Sequence, residues 1–266
     1  MAQISPKEVE RITVLKDAAS LALYGNRGAD GVVVITTKRG GDHGLRSQID
    51  YNFGVQTPFR IPHMADGYTY ASAVNEALSN DRLSPRYTMH DMRLIAGHMH
   101  PQLFPDIDWQ ALILRKVAFT HDVNLTFDGK GQRIRYFVYA NYNSNRGFLN
   151  NTEMNDGYST QIGMDALKVR SNIEARLTKS TVARINLMGR LMQYQHPSAG
   201  TNLSGMYDTP AAAFYPLAPQ SEGGGWVRSR LCKNPLADLT SRGYNTVLQR
   251  TLFADLTIDQ NLEMIT

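Results

Sequence analysis

Histidine, carboxylate, serine, glycine and arginine side chains are the groups here from which chemistry could be built. His90, His98 and His100 with Asp91 form the one histidine cluster. Imidazoles at i and i+2 with a third eight residues upstream could meet on a metal ion. The spacing fits no catalytic metal motif, however, and solvated loop histidines explain it equally, so no metal is expected. Ser20, Ser47 and Ser171 have no nucleophile-elbow or Ser-x-x-Lys setting, which leaves hydrolysis without support. Gly25, Gly28 and Gly31 invite a phosphate-cradle reading. Their spacing is not the dinucleotide fingerprint and they follow a helix rather than opening one, so they read as turn glycines. Cys232 is the single cysteine, which excludes an internal disulfide and a cysteine-based zinc site. Arg133, Arg135, Arg170, Arg176, Arg184 and Arg190 recur among alternating apolar residues. They read as a solvated basic stripe paired with Glu174 and Asp122, with attraction of acidic solutes as the functional alternative. None of these groups makes a catalytic site: the chain is expected to be no enzyme and to hold no cofactor.

The elements that position these groups fall into two kinds. Over the first forty residues, Ser5-Pro6-Lys7-Glu8 reads as a capping box, and Ile12, Val14 and Leu15 as a short strand. Asp17 is an N-cap for a helix over 18–24, and Gly25 its left-handed C′ residue. Asp30-Gly31 is a turn before Val32–Thr37, a strand whose four apolar residues in a row predict cover on both faces. From residue 45 onward, apolar and polar residues alternate at period two. Ile49, Tyr51, Phe53 and Val55 share one face of 47–56. Val123, Leu125 and Phe127 share one face of 122–128, and Ile134, Tyr136, Val138, Ala140 and Tyr142 one face of 133–143, with Gly129–Gly131 as the hairpin turn. Segments 168–178, 181–192 and 248–258 repeat the pattern.

The chain has 266 residues, 28 Lys+Arg against 24 Asp+Glu (net +4) and 42% hydrophobic residues. That composition is globular and lacks the concentrated charge of a nucleic-acid binder. No apolar run reaches the length of a transmembrane helix. The first residues have neither the basic nor the apolar region of a signal peptide. Six alternating strands fit either a soluble β-sandwich binding module or a barrel with a wet lumen. Tyrosines on the apolar face, charges throughout the polar face, and short turns alternating with the long connections 57–120 and 193–246 favour the barrel.

The run ERITVLKDAASLALYGNRGADGVVVITTKRG resembles the end of the plug domain of TonB-dependent outer-membrane transporters, with Tyr24, Gly25 and Gly31 on the superfamily pattern. Leu15–Ser20 in its Leu-Lys-Asp-Ala-Ala-Ser form, and Lys38-Arg39-Gly40, resemble the SusC/RagA branch. Asp66–Tyr70 with Asn75–Leu78, Asp106–Trp109, Arg135–Val138 and Asn234–Ala237 also fit that branch in order. The resemblance implies a mainly β fold: residues 1–41 as the α/β C-terminal part of the plug, and 42–266 as about six strands of a larger plugged, transmembrane antiparallel barrel. Leu15, Lys16, Asp17, Tyr24, Gly25, Arg27, Gly28 and Gly31 would be a structural plug signature, and the six arginines would line the lumen. It further implies import of oligosaccharide or peptide across the outer membrane of a Gram-negative bacterium. Energy would come from TonB, and a SusD-like surface lipoprotein would be the partner, with outer-membrane lipid around the barrel and no nucleic acid. Such barrels have about 22 strands, so the sequence reads as a fragment lacking the signal peptide and the TonB-contacting segment, with 261–266 as the start of a further strand. In a bacterial strand context, the sequons at Asn124 and Asn202 are chance matches.

Overall fold

The computed structural model describes residues 4–155, 157–198, 201 and 203–262, which form a two-stranded sheet and a six-stranded antiparallel sheet. In the N-terminal unit the Ser5 hydroxyl accepts from the Lys7 N–H. The Glu8 carboxylate accepts from the Ser5 N–H, closing a capping box on the 3-10 turn Pro6–Glu8. That turn feeds β1 (Val9–Leu15), where β-branched residues set an extended backbone. Asp17 then caps α1 (Ala18–Leu21) by accepting from the Ser20 N–H at 2.9 Å.

The α-helix expected over 18–24 stops at Leu21. Residues Ala22–Gly28 continue as 3-10 turns, broken at Gly25 with φ 57° and ψ −148°. This is not the left-handed helical C′ geometry expected but an extended positive-φ conformation that is essentially glycine's alone. The chain returns as β2 (Val32–Thr37), which pairs antiparallel with β1. The expectation of cover on both faces fails. Val33 and Ile35 are 60% and 40% exposed, and Ile12 and Val14 opposite them are 59% and 54% exposed. The hairpin is a single layer, so only one of its faces is covered among the described residues.

The large sheet begins with β3 (Arg46–Gln56). The connection 57–117 carries α2 (Gly67–Asn80), α3 (Met89–Ala96) and α4 (Trp109–Ile113), opened by Asp66, Thr88 and Asp108 as N-caps. After it come β4 (Ala118–Lys130), β5 (Ile134–Arg146), β6 (Gly163–Arg176) and β7 (Thr181–Pro197). The connection 198–243 holds α5 (Gly205–Asp208) and α6 (Pro235–Ser241), the latter capped by Asn234, and leads into β8 (Tyr244–Gln260). Strand order follows the chain, with β3 and β8 as the edges of the described sheet. The strands outrun the segments legible in the sequence, because backbone pairing continues where the alternation fades. The first hairpin turn lies at 131–133 rather than 129–131: Gly131 donates to the Ile134 carbonyl at 2.7 Å, and Gly129 and Lys130 belong to β4.

Register keeps the two faces apart across the whole sheet. One row runs Ile49–Leu125–Ala140–Val169–Gly189–Leu252; the next runs Asp50–Asn124–Asn141–Lys168–Arg190–Thr251. The apolar face is left open, with Ile49 71%, Leu252 82% and Leu256 65% exposed.

The turns 131–133 and 177–180 share one rim, and the long connections 57–117, 147–162 and 198–243 share the other. The main hydrophobic core lies in those connections rather than in the sheet. Trp109 and Ile113 of the first meet Leu149 of the second and Met206, Phe214, Leu236 and Leu239 of the third. Trp109 lies edge-on to Phe214 at 5.4 Å and donates Nε1–H to the Pro210 carbonyl. A smaller cluster of Ala71, Met92 and Ile95 joins α2 to α3. Residues 263–266 and the Asn202 sequon lie outside the described residues, and Asn261 and Leu262 are not strand.

Candidate functional site: the polar face beneath the N-terminal unit

Glu8 is the hinge of this site. Its carboxylate is wholly excluded from solvent and binds both Lys168 Nζ and Arg170 Nε, two same-face residues of β6. Each of those cationic side chains is about nine-tenths covered. Around this centre the N-terminal unit meets the sheet through polar contacts. Asn172 donates to the Lys38 carbonyl at 2.7 Å and to the Thr37 hydroxyl at 3.3 Å. Lys7 pairs with Asp50 at 2.7 Å, and the Gly41 N–H donates to Asp128 at 3.3 Å. Arg39 lies 3.9 Å from Glu174.

Gly40, at φ 100°, brings the segment that leaves β2 against β5. A Cβ there would run into the Tyr136 carbonyl and stand 3.0 Å from Arg135 Cγ, so a side chain is excluded by both conformation and space. Asp42 follows, tied to Lys130 at 2.8 Å and to Arg135. The Lys130 hydrogen bond first, and then the Arg135 charge, hold this exposed carboxyl below its ordinary range.

Two aromatics lie on the polar face under the unit, Phe137 and Tyr139, 1% and 0% exposed. The Tyr139 hydroxyl donates to Asn124 Oδ1, which also accepts from Asn141. Asp122 is not an arginine partner, in contrast to the expectation from sequence. Carboxamides gather round it instead: Asn141 at 3.0 Å, Asn143 at 3.2 Å, Asn52 at 3.4 Å, and Asn124. Four strand neighbours thus solvate one carboxylate with amide donors in place of a cation, because antiparallel register stacks them in adjoining rows. Recesses open on either side of the Pro6–Glu8 turn. One, of about 520 Å³, is ringed by Lys38, Arg39, Arg46, Arg135 and Asp128; the other, of about 420 Å³, is floored by the amide group.

The arginines singled out from sequence divide. Arg170 binds Glu8, Arg135 binds Asp42, and Arg184 binds both Glu174 and Asp259. Arg190 and Arg176 stand on the same polar face. Arg133 sits in the 131–133 turn, so it is no strand residue. The glycine-rich set remains within the N-terminal unit. Leu15 pairs with Val32, Asp17 caps α1, Gly28 is buried and Gly31 precedes β2, while Lys16, Tyr24 and Arg27 are exposed. The histidines stay separate. His98 faces Asp106 at 3.4 Å, and Asp91 completes a capping box with Thr88, whose N–H lowers its pKa. Among the described residues no three potential ligands come together. Sequence reasoning passed over Lys168, Asn172, the amide group and the docking role of Glu8.

No protein-family model matches the chain. Curated relatives do. TonB-dependent receptor P26 of Formosa agariphila is 28% identical over 177 residues, covering 66% of this chain and 16% of that protein. TonB-dependent receptor SusC of Bacteroides thetaiotaomicron is 27% identical over 150 residues, 56% of this chain and 13% of SusC. The chain therefore spans about a sixth of the length of the relatives it matches. Among solved structures, the RagAB peptide importer in its closed-closed state superposes with a TM-score of 0.59 at 20% identity, covering 80% of this chain and 25% of that one.

Proposed function

We propose that this chain, a portion of a SusC/RagA-type TonB-dependent receptor by its sequence relatives and its fold, forms part of the wall and part of the plug of an outer-membrane importer. Residues 1–41 are the closing part of the plug, and 42–266 are wall strands with their external connections. The observation that carries the reading is the docking of Glu8 on Lys168 and Arg170 against the polar face of a meander whose other face is apolar and open.

The depth of that open face fits a bilayer. Outward rows run from Ile134–Ala175–Ala183–Ile258, next to the short turns, to Tyr51–Val123–Tyr142–Leu167–Leu191–Arg250, five rows in all, the last carrying a cation at its β8 end. At ~3.4 Å per residue, two residues per row and a tilt of ~40°, the four intervals between five rows span about 21 Å, and the side chains of the outermost rows bring the face close to the ~25 Å height of an outer-membrane apolar band. A soluble sandwich needs a second sheet over this face, and the described residues supply none. The arginines on the polar face and the amide-floored recess line the lumen, while the residues of the glycine-rich set shape the plug without touching solute. The solute is an oligosaccharide or a peptide, captured with a SusD-like surface lipoprotein over the long connections and admitted when TonB pulls the plug. No bond in the solute is broken, and none of the described groups is arranged to break one.

The test tethers the unit to the wall. In the receptor carrying this chain, with Cys232→Ser, cysteines replacing Lys7 and Asp50 are joined by a short cleavable bis-maleimide. Energy-dependent solute uptake by cells is expected to stop on tethering and to return on cleavage. Undiminished uptake through a fully tethered receptor would overturn the proposal.

A further inference from the structure

Above the top row of the apolar band the outward face divides. The next two rows are Phe53–His121–Ser144–Asp165–Gln193–Leu248 and, above it, Val55–Phe119 on β3 and β4 with Arg146–Gly163–Gln195–Thr246 on β5 to β8. On β3 and β4 these stay largely aromatic: Phe53 stacks on Phe119 at 5.7 Å, and Tyr51 bonds His121 at 2.9 Å. On β5 to β7 they turn polar. Asp165 accepts from Ser144 at 2.7 Å, Arg146 at 2.8 Å and Tyr142 at 3.1 Å.

Arg146 is held on the outward side, because it lies across Gly163: a Cβ at that position would stand 2.9 Å from its Nη1. Arg115, from the end of the first long connection, adds a second guanidinium. Its Nε and Nη2 donate to the Gly147 carbonyl, and its Nη1 meets no protein acceptor among the described residues. Between the two opens a recess of about 550 Å³, with the carboxamides of Gln161, Gln193 and Gln195 in its walls and Glu153 beside them.

We propose that this recess binds the headgroup of an outer-leaflet lipid of the phosphorylated-sugar class. The inference rests on the reading of the sheet as a membrane wall, since only then does the recess lie at headgroup depth, directly above the Tyr51–Tyr142 row. Its composition selects the ligand. Two carboxylates offset the two guanidiniums, so the recess is no trap for simple anions. Gln161 and Gln195 each spend one N–H on a backbone carbonyl, of Leu149 and Ser159, and keep a second; with the Gln193 carboxamide these can meet sugar hydroxyls, while the Nη1 edge of Arg115 is left to meet a phosphate oxygen. A headgroup carrying both features engages the Arg115 edge and the Gln193 carboxamide together, whereas a bare phosphate engages the guanidinium alone.

The test uses the receptor carrying this chain, purified in detergent and observed by native mass spectrometry. It is titrated with a lipid bearing a phosphorylated diglucosamine headgroup, with phosphatidylethanolamine and with inorganic phosphate. The diglucosamine lipid is expected to be retained, and Arg146→Gln and Arg115→Gln each to weaken retention about tenfold. Gln193→Leu, which leaves the Arg146–Asp165 pair intact, reads the recess if an arginine variant fails to fold, and about a fivefold loss is expected. Arg176→Gln at the opposite rim should change nothing. Equal retention by parent and recess variants, or equal binding of phosphatidylethanolamine or free phosphate, would overturn the inference. Reconstitution of the parent into vesicles separates the two readings: an inserted receptor whose recess variants retain lipid unchanged refutes the recess alone, whereas a receptor that does not insert refutes the membrane wall.

Discussion

Glu8→Ala measures how firmly the N-terminal unit is seated. The substitution removes a fully buried carboxylate and leaves the ammonium of Lys168 and the guanidinium of Arg170 side by side on β6 without it. Removing one partner of a buried ion pair costs about 3–5 kcal/mol, because the remaining charge stays desolvated. Loss of the capping-box acceptor for the Ser5 N–H adds about 1 kcal/mol. The sum, about 4–6 kcal/mol, predicts a roughly thousandfold to ten-thousandfold fall in amide hydrogen-exchange protection across β1 and β2. The measurement compares the receptor and its variant in detergent. Lys7→Ala is the control: it breaks the Lys7–Asp50 pair, whose side chains are 36% and 30% exposed, and should cost less than about 1 kcal/mol. Adding Lys168→Met to Glu8→Ala should recover at least about 1 kcal/mol by removing one of two neighbouring like charges from a covered site. Equal losses for Glu8→Ala and Lys7→Ala, or no recovery in the double variant, would refute the claim that a buried charge cluster seats the unit.

Three further outcomes are expected. Leu187→Arg, on the outward face near the middle of the apolar band, should cost about 2–4 kcal/mol in vesicle-unfolding experiments. Asn186→Arg on the opposite face should be nearly silent, and equal costs would argue against a lipid-facing side. Gly40→Val should lower the melting temperature of the receptor by more than Gly25→Val, since position 40 adds a collision with the Tyr136 carbonyl to an unfavourable φ, whereas a Cβ at Gly25 meets nothing within 4 Å; each carries at least about 1 kcal/mol of backbone strain. For Asp42 the folded pKa is depressed below its ordinary 3.8, so its tie to Lys130 and Arg135 is complete above that pH and is lost as pH falls through the folded value. Proteolysis of the 38–45 segment should accelerate below pH 4 in the parent and show no such step in Asp42→Asn.

The alternation at period two made the six strands and their two faces legible, because one face must be apolar all along and the other polar. The capping box at Ser5 and the N-cap at Asp17 were legible for the same local reason: each is written within four residues. What sequence did not reveal depends on register. With the first hairpin turn placed at 129–131, Asn124 does not fall opposite Asn141; with Lys130 opposite Arg135 and Gly131 closing on Ile134 it does, and the amide group around Asp122 follows. Glu8 was legible as a capping residue, but its burial against Lys168 and Arg170 spans some 160 positions and has no local signature. The two-sided burial predicted for β2 failed because four β-branched residues in a row report strand propensity as readily as they report cover.

The core shared by the three long connections bears on the order of assembly. Each strand pair closes through a short turn or through its immediate neighbour in sequence, so the meander can grow locally, hairpin by hairpin. The packing of Trp109 and Ile113 on Leu149, Phe214 and Leu239 draws on residues more than a hundred positions apart, and contacts of such long separation form late. They can form only once β4 to β7 stand in register, because that register alone brings the three connections to one rim. Closure of this rim core therefore reads out the register of the sheet beneath it: a strand slipped by one residue would leave Trp109 without its Pro210 acceptor and its apolar pocket open to water.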